Sequence, residues 1–215
     1  TNNDLDVKRI AVLTGAGISA ESGVKTFRDA GGLWEGHDVM EVASIDGWHR
    51  NKALVLDFYN ARRRQLKDVV PNDAHILLAK LEDKYHVDII TQNVDDLHER
   101  AGSKNIVHLH GELLKVRGEF SPKEKIHWEG DLHLGDQNDR GEQLRPAIVW
   151  FGEDVPMINR AAEMVYDADI IIIIGTSMQV YPAAGLVGYA RPQSKIYYID
   201  AHPSINHDLR RLNNL

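Results

Sequence analysis

The sequence predicts an α/β protein built on a parallel sheet with helices on both faces, and three observations predict it. Short β-rich apolar runs alternate with helical stretches along the chain. One run, Ile170 to Ile174, is five isoleucines with no polar face, which is the signature of a strand covered on both sides. A glycine-rich turn, Gly15-Ala16-Gly17, follows the first strand directly, as in Rossmann-like folds.

Each element follows in order. Arg9–Thr14 reads as the first strand. Ala53 to Lys67 reads as a helix with Leu54, Phe58, Ala61 and Leu66 on one face, and Ala74 to Lys84 as another with Leu77, Leu78 and Leu81. Strands are predicted at His86–Thr91, Asn105–Leu109, Ala147–Phe151, Ala168–Gly175 and Lys195–Asp200, with a short helix over Asn159–Tyr166. Residues 117–143 break the alternation. They are polar and rich in charge and glycine, and read as a small inserted module between 1–116 and 144–215. Ligands of such sheets bind beyond the carboxyl ends of the strands.

Composition narrows the function. At 215 residues the chain suits one large domain carrying a small insertion. Lys plus Arg is 25 and Asp plus Glu is 32, a net charge of −7 that argues against nucleic acid as a partner. With no cysteine, disulfides, Cys-based zinc sites and thiol nucleophiles are excluded. No run approaches the roughly 20 apolar residues of a membrane span. The polar, acidic start at Thr1–Asp6 does not read as a signal peptide. We expect a cytoplasmic monomer with no membrane contact.

Four segments carry candidate chemistry, all at predicted strand ends. Gly15-Ala16-Gly17-Ile18-Ser19-Ala20 allows close approach of a pyrophosphate to backbone amides, although a tight turn alone would also explain it. A hydride-transfer dehydrogenase would next need a second strand ending in an acid about 20 residues on. No apolar strand precedes Glu35, Asp38 or Glu41, so that reading fails. Thr91-Gln92-Asn93-Val94-Asp95 offers amide and carboxylate groups for ribose hydroxyls and a carboxamide, or a polar cap on a strand exit. His110 is placed as a general base, although for a lone histidine a hydrogen-bonded structural role is the stronger reading. Gly175-Thr176-Ser177 suits a phosphate or ribose contact.

Taken in order, Thr14-Gly15-Ala16-Gly17-Ile18-Ser19, Gly23 with Phe27-Arg28, Thr91 to Asp95, His108-Leu109-His110-Gly111, Trp150-Phe151-Gly152-Glu153 and Ile174-Gly175-Thr176-Ser177 resemble the sirtuin family of NAD-dependent protein-lysine deacylases, in particular bacterial members with desuccinylase and demalonylase capacity. The resemblance runs from about Arg9 to Ile199. It implies that 1–116 and 144–215 form the NAD-binding domain and that NAD is held by Gly15, Ala16, Gly17, Ile18, Ser19, Ala20, Phe27, Arg28, Trp34, Gln92, Asn93, Val94, Asp95, Gly175, Thr176, Ser177 and Asp200. Ile18 and Asp95 would line the carboxamide pocket. The family often has Asn at the position of Asp200.

His110 would be the catalytic base, assisted by Asn93 and Asp95. The acyl oxygen of a modified lysine would attack the nicotinamide ribose, nicotinamide would leave, and His110 would take a proton from a ribose hydroxyl. That hydroxyl would attack the acyl carbon and water would release the lysine, so the products would be nicotinamide, free lysine and acyl-ADP-ribose. Acylated-lysine proteins or peptides would dock as an added strand along Val149, Phe151, Gly152 and Glu153, opposite Met178 to Tyr181. Tyr59 and Arg62 stand i and i+3 on one helix face, and by the resemblance would read acidic acyl groups, with Ala30 leaving room for the longer chain. Without the resemblance, a solvated basic face including Arg63 and Arg64 would explain the same residues.

The sequence departs from the family within 117–143, where two cysteine pairs would hold a structural zinc. Neither His127 nor His133 has tetrahedral ligand spacing. The expectation is a metal-free module held by packing of Phe120, Ile126, Trp128 and Leu132. A non-catalytic NAD or ADP-ribose sensor and a protein ADP-ribosyltransferase are the alternatives. Retention of His110, Asn93 and Asp95 favours the deacylase.

Overall fold

In the computed structural model, which describes residues 7–25 and 33–199, β1 (Arg9–Thr14) is the centre of a five-stranded parallel sheet. A short helix α1 (Ala16–Ala20) follows it at once. The chain then builds a two-stranded ribbon, β2 (Leu33–Trp34) and β3 (His37–Asp38), and three helices, α2 (Val39–Val42), α3 (Ile45–Arg50) and α4 (Lys52–Gln65). Next come α5 (Asp73–Lys80), β4 (His86–Thr91), α6 (Leu97–Ala101) and β5 (Ile106–His108). A second sheet follows, β6 (Gly111–Gly118), β7 (Ile126–His127) and β8 (Leu144–Ile148), before α7 (Ile158–Asp167), β9 (Ile170–Ile174) and β10 (Lys195–Ile199) return to the first.

The main sheet runs in the order β10-β9-β1-β4-β5. Alternation along β1 sends Ala11 and Leu13 to one face, with Ile171, Ile173 and α7, and Ile10 and Val12 to the other, with Leu78 of α5. The isoleucine strand is covered on both sides as its composition predicts. Ile171 and Ile173 are fully buried, and Ile170, Ile172 and Ile174 are partly buried against the α5 face. A third core lies around α4, between the main sheet and the small sheet.

Three expectations are corrected. The run predicted as a strand over Ala147–Phe151 is paired only to Ile148, and it pairs antiparallel with β6 in the small sheet. Its first half, Leu144-Arg145-Pro146, is hidden from a hydropathy reading by a charge and a proline. On α5 the inward residues are His75 and Leu78, while Leu77 is 61% exposed. The capping box at Asn72, reciprocated by His75, sets that phase. Finally, Phe120 and Ile126 do not pack: they are exposed, and only Leu132, with part of Trp128, enters the α4 core.

Polar clamps hold 117–143 instead. The Asn60 side chain donates to the carbonyl of Leu132 at 3.0 Å and accepts its N–H at 2.8 Å. Glu142 accepts from Ser121 Oγ at 2.7 Å and from Asn138 Nδ2 at 2.6 Å. Glu119 accepts from Trp48 Nε1 at 2.9 Å and pairs with Lys52 at 2.7 Å. The small sheet takes its long strands β6 and β8 from both sides of this stretch.

Candidate active site

Strand register creates the site. Thr14 pairs with both Thr91 and Ile174, Thr91 with His108, and Ile174 with Ile199. The five strands therefore end in one row, and the residues just beyond them stand along one edge. The chain moves outward from β1 to β4 and β5, then crosses back to β9 and β10, so the order reverses between β1 and β9. That is where α/β sheets open a crevice.

At this point two glycine turns lie face to face. The Gly17 N–H donates to the carbonyl of Gly175 at 2.8 Å. A Cβ on Gly15 would stand 2.5 Å from Thr176 Cβ, and one on Gly175, whose φ is +72°, would stand 2.4 Å from Ile18 N. Glycine is required here because the two turns touch each other.

A cavity of about 590 Å³ opens beside them. Its polar wall comes from Ser19, Gln92, Asn93, Asp95, His110, Thr176 and Ser177. These groups brace one another. Asn93 Nδ2 donates to the Gly15 carbonyl at 2.9 Å and to Ser19 Oγ at 3.3 Å, and Gln92 Nε2 donates to Thr176 Oγ1 at 3.1 Å. Burial raises the pKa of the Asp95 carboxyl, against the Leu97 N–H and the Ser19 hydroxyl that donate to it.

Below Ser19 lies a buried histidine pair. His75 Nδ1 accepts the Asn72 N–H at 3.1 Å, so its proton is on Nε2, 3.5 Å from Ser19 Oγ. The His98 ring sits 5.1 Å away, with Nε2 2.9 Å from Thr14 Oγ1. Desolvation keeps both rings neutral, lowering their pKa values to about 4 for His75 and about 3 for His98.

The two histidines around β5 differ in state. His110 Nδ1 lies 3.2 Å from the carbonyl of Gln92, which can only accept, so Nδ1 carries the proton and Nε2 keeps its lone pair. Burial lowers its pKa against that hydrogen bond, so the ring is neutral near pH 7. His108 is instead held between the Asn93 carbonyl, at 2.9 Å from Nδ1, and the Glu99 carboxylate, at 3.1 Å from Nε2. Burial opposes charge there, but Glu99, Glu112 and the carbonyl outweigh it and raise the pKa. Glu99, His108 and Glu112 are also close enough to ligate one metal ion. Their charges are already balanced by the His108 proton and by Lys115, 3.0 Å from Glu112.

The opposite wall mixes apolar side chains with polar ones, among them Lys25 and, from α4, Tyr59, Arg62 and Gln65. Arg62 pairs with Glu35 at 3.8 Å and stacks on Phe58, and its buried Nε has no hydrogen-bond partner. Trp34, Val149, Phe151, Gly152 and Glu153 complete the rim. The segment after β8 is largely spoken for. The Phe151 N–H donates to the Ala43 carbonyl at 2.9 Å, and the Glu153 carboxylate is taken by Arg145 and Arg117. Burial pushes that carboxyl up, but Arg145, the Trp150 N–H and Arg117 hold it below the usual range. Among the described residues, none hydrogen-bonds to the Val149 carbonyl or to either backbone group of Gly152.

The cavity wall includes Ala16, Ser19, Trp34, Tyr59, Arg62, Gln92, Asn93, Val94, Asp95, His110, Val149, Phe151, Gly152, Glu153, Gly175, Thr176 and Ser177. Ile18 is not on the wall, and its side chain packs with Ile10, Val12 and Leu78. Ala20 is exposed at the end of α1 and is not on the wall, and Gly15 and Gly17 serve the contact between turns. Phe27, Arg28, Ala30 and Asp200 lie outside the described residues. Sequence reasoning missed His75, His98, Arg117 and Arg145. A charge inside the apolar strand Leu144-Arg145-Pro146-Ala147-Ile148 was the available signal for the last.

Comparison with known proteins agrees with this geometry. The Sir2 family model matches residues 15–182. An NAD-dependent protein deacylase of Helicobacter pylori (strain J99) is 63% identical over 194 residues, 90% of this chain and 83% of that protein. One of Bacteroides thetaiotaomicron is 54% identical over 212 residues, 96% of this chain and 91% of that protein. Among solved structures, a complex of a Sir2 homologue with NAD is 39% identical with a TM-score of 0.80, covering 89% of this chain and 77% of that one. A Sir2 protein solved with a deacetylated p53 peptide and 3′-O-acetyl ADP-ribose is 31% identical with a TM-score of 0.78, covering 95% of this chain and 87% of that one. The chain belongs to the Sir2 family.

Proposed function

We propose that the protein is an NAD-dependent protein-lysine deacylase that removes succinyl and malonyl as well as acetyl groups, yielding nicotinamide, free lysine and O-acyl-ADP-ribose. The observation that carries this reading is the state of His110. Its Nε2 is an unprotonated base beside the cavity, fixed by the Nδ1 hydrogen bond to Gln92.

The donor set fits NAD. Ser19, Thr176 and Ser177 offer hydroxyls, Gln92 and Asn93 amides, and Asp95 a carboxyl, all on one wall. These residues, with Ala16, Val94 and Gly175, would hold the cofactor, and Trp34 would close the far side. Bound NAD supplies a sugar carbon activated toward attack by its nicotinamide leaving group. His110 Nε2 takes the proton from a ribose hydroxyl, and Gln92 keeps the imidazole in the tautomer that permits this. Asn93, anchored to Gly15 and Ser19, fixes the loop that carries Asp95.

The acylated peptide would pair with the Val149 carbonyl and the backbone of Gly152, beside Phe151, and the Glu153 side chain acts as a brace for that segment. The acyl chain would run toward Tyr59 and Arg62. The unpartnered Arg62 Nε supports an acceptor at its end, since a buried donor without a partner is costly. The stretch 117–143 would need no zinc, because side-chain clamps such as Asn60 on Leu132 organise it.

Incubation with NAD and acetyl-, succinyl- and malonyl-lysine peptides tests the proposal by mass spectrometry. Acyl-ADP-ribose and nicotinamide should form only when both are present. Absence of acyl-ADP-ribose with every peptide would reject it.

A further inference from the structure

Behind Tyr59 stands a stack of buried polar groups that composition alone leaves unexplained. Arg145 is 1% exposed, a cation at the second position of the wholly buried strand β8. Its Nη1 and Nη2 clasp the two oxygens of Glu153 at 2.8 and 2.9 Å, and its Nη2 and Nε also donate to the carbonyls of Ile148 and Pro146. The guanidinium lies 3.7 Å over the ring of Trp150. Glu153 in turn accepts the Trp150 backbone N–H at 3.0 Å. Trp150 is thus held by its ring on one side and by its backbone on the other. Its indole Nε1 donates to the Tyr59 hydroxyl at 2.9 Å.

An indole N–H can only donate. The Tyr59 oxygen must therefore accept from Trp150, and its own proton must point elsewhere. Among the described residues no acceptor takes that proton, and Tyr59, itself fully buried, lies against the cavity wall beside Arg62. We propose that Trp150, clamped by Arg145, is a positioning residue that fixes the Tyr59 hydroxyl as a donor toward the carboxylate of an acidic acyl group. Burial raises the phenol pKa, against the Trp150 hydrogen bond, so the hydroxyl keeps the proton it donates. The inference rests on the acidic-acyl reading above.

The test is a double-mutant cycle read on two substrates. Trp150→Phe keeps an aromatic ring under Arg145 and removes the N–H together with part of the buried indole ring, so the readout is the ratio between the two substrates and not the absolute rate. Tyr59→Phe removes the hydroxyl it orients. kcat/KM is measured for succinyl-lysine and acetyl-lysine peptides at saturating NAD, with folding checked by circular dichroism. Trp150→Phe should lower the succinyl-to-acetyl ratio about three- to tenfold, through the KM for succinyl-lysine, as expected for loss of one oriented hydrogen bond. In the Tyr59→Phe background the same change should leave the ratio where it is. Equal losses on both substrates, or an undiminished effect without the Tyr59 hydroxyl, would overturn the proposal.

Arg145→Lys keeps the charge and loses the flat stack. It should shift the same ratio in the same direction, and an equal loss on both substrates would count against the clamp. Wild-type enzyme that turns over acetyl-lysine but not succinyl-lysine would refute the acidic-acyl reading itself, and the proposal with it. Wild-type succinyl preference with an additive cycle would refute the proposal alone.

Discussion

His110 Nδ1 lies 3.2 Å from the carbonyl oxygen of Gln92, the residue that follows the neighbouring strand β4. The contact ties the protonation state of the base to the sheet register. Burial holds the His110 pKa below the ordinary 6.5, and the Gln92 hydrogen bond only partly offsets that. As the proposed base, His110 must be neutral to act. The acid limb of kcat/KM should therefore fall below pH 6.5, with activity lost only as pH drops through the lowered pKa. A pH–rate profile checks this, and an acid limb at or above 6.5 would contradict it.

Acid stability should report His75 and His98. Their folded pKa values, about 4 and about 3, lie below the unfolded value near 6.5. The unfolded chain then binds more protons below pH 6.5, so stability falls as pH falls toward 4. Each ring contributes up to about 1.4 kcal/mol per pH unit in that window. Urea denaturation between pH 4.5 and 7 should show this slope, and His98→Gln should reduce it. An unchanged slope would mean that His98 is not buried neutral.

Arg62→Met should raise KM for succinyl-lysine much more than for acetyl-lysine. A hydrogen bond to a charged group is worth about 1.5–3 kcal/mol, so the succinyl-to-acetyl ratio of kcat/KM should drop roughly tenfold or more. Equal losses would assign Arg62 to the fold, through Glu35 and Phe58.

The stretch 117–143 should depend on Asn60 and not on metal. Asn60→Leu strands both the N–H and the carbonyl of the buried Leu132, at a cost of about 2–4 kcal/mol. Urea denaturation measures the cost, and a chelator should change neither stability nor activity. Loss of activity on chelation, with stoichiometric zinc by elemental analysis, would contradict the account.

What could be read from the chain follows physical lines. The glycine turns, Thr91 to Asp95 and His110 were legible because they sit directly after apolar runs, and parallel strands in register bring such residues together. Arg145 was not legible as a brace, since its partner Glu153 faces it only through the turn after β8. The small sheet was hidden because its long strands flank a polar stretch. The packing of Ile18 against the sheet was not legible, because a five-residue helix gives no periodicity from which to choose its inward face. Phe120 misled because apolar character alone does not bury a side chain whose neighbours are held by Glu142 and Ser121.

The central claim is that His110 Nε2 is the base of the reaction. The most direct measurement compares wild-type protein with His110→Ala for acyl-ADP-ribose formation by mass spectrometry, with NAD affinity followed in parallel by calorimetry. The account predicts a loss of about 10²–10⁴-fold in turnover with NAD binding retained. Turnover near the wild-type rate in His110→Ala would contradict it.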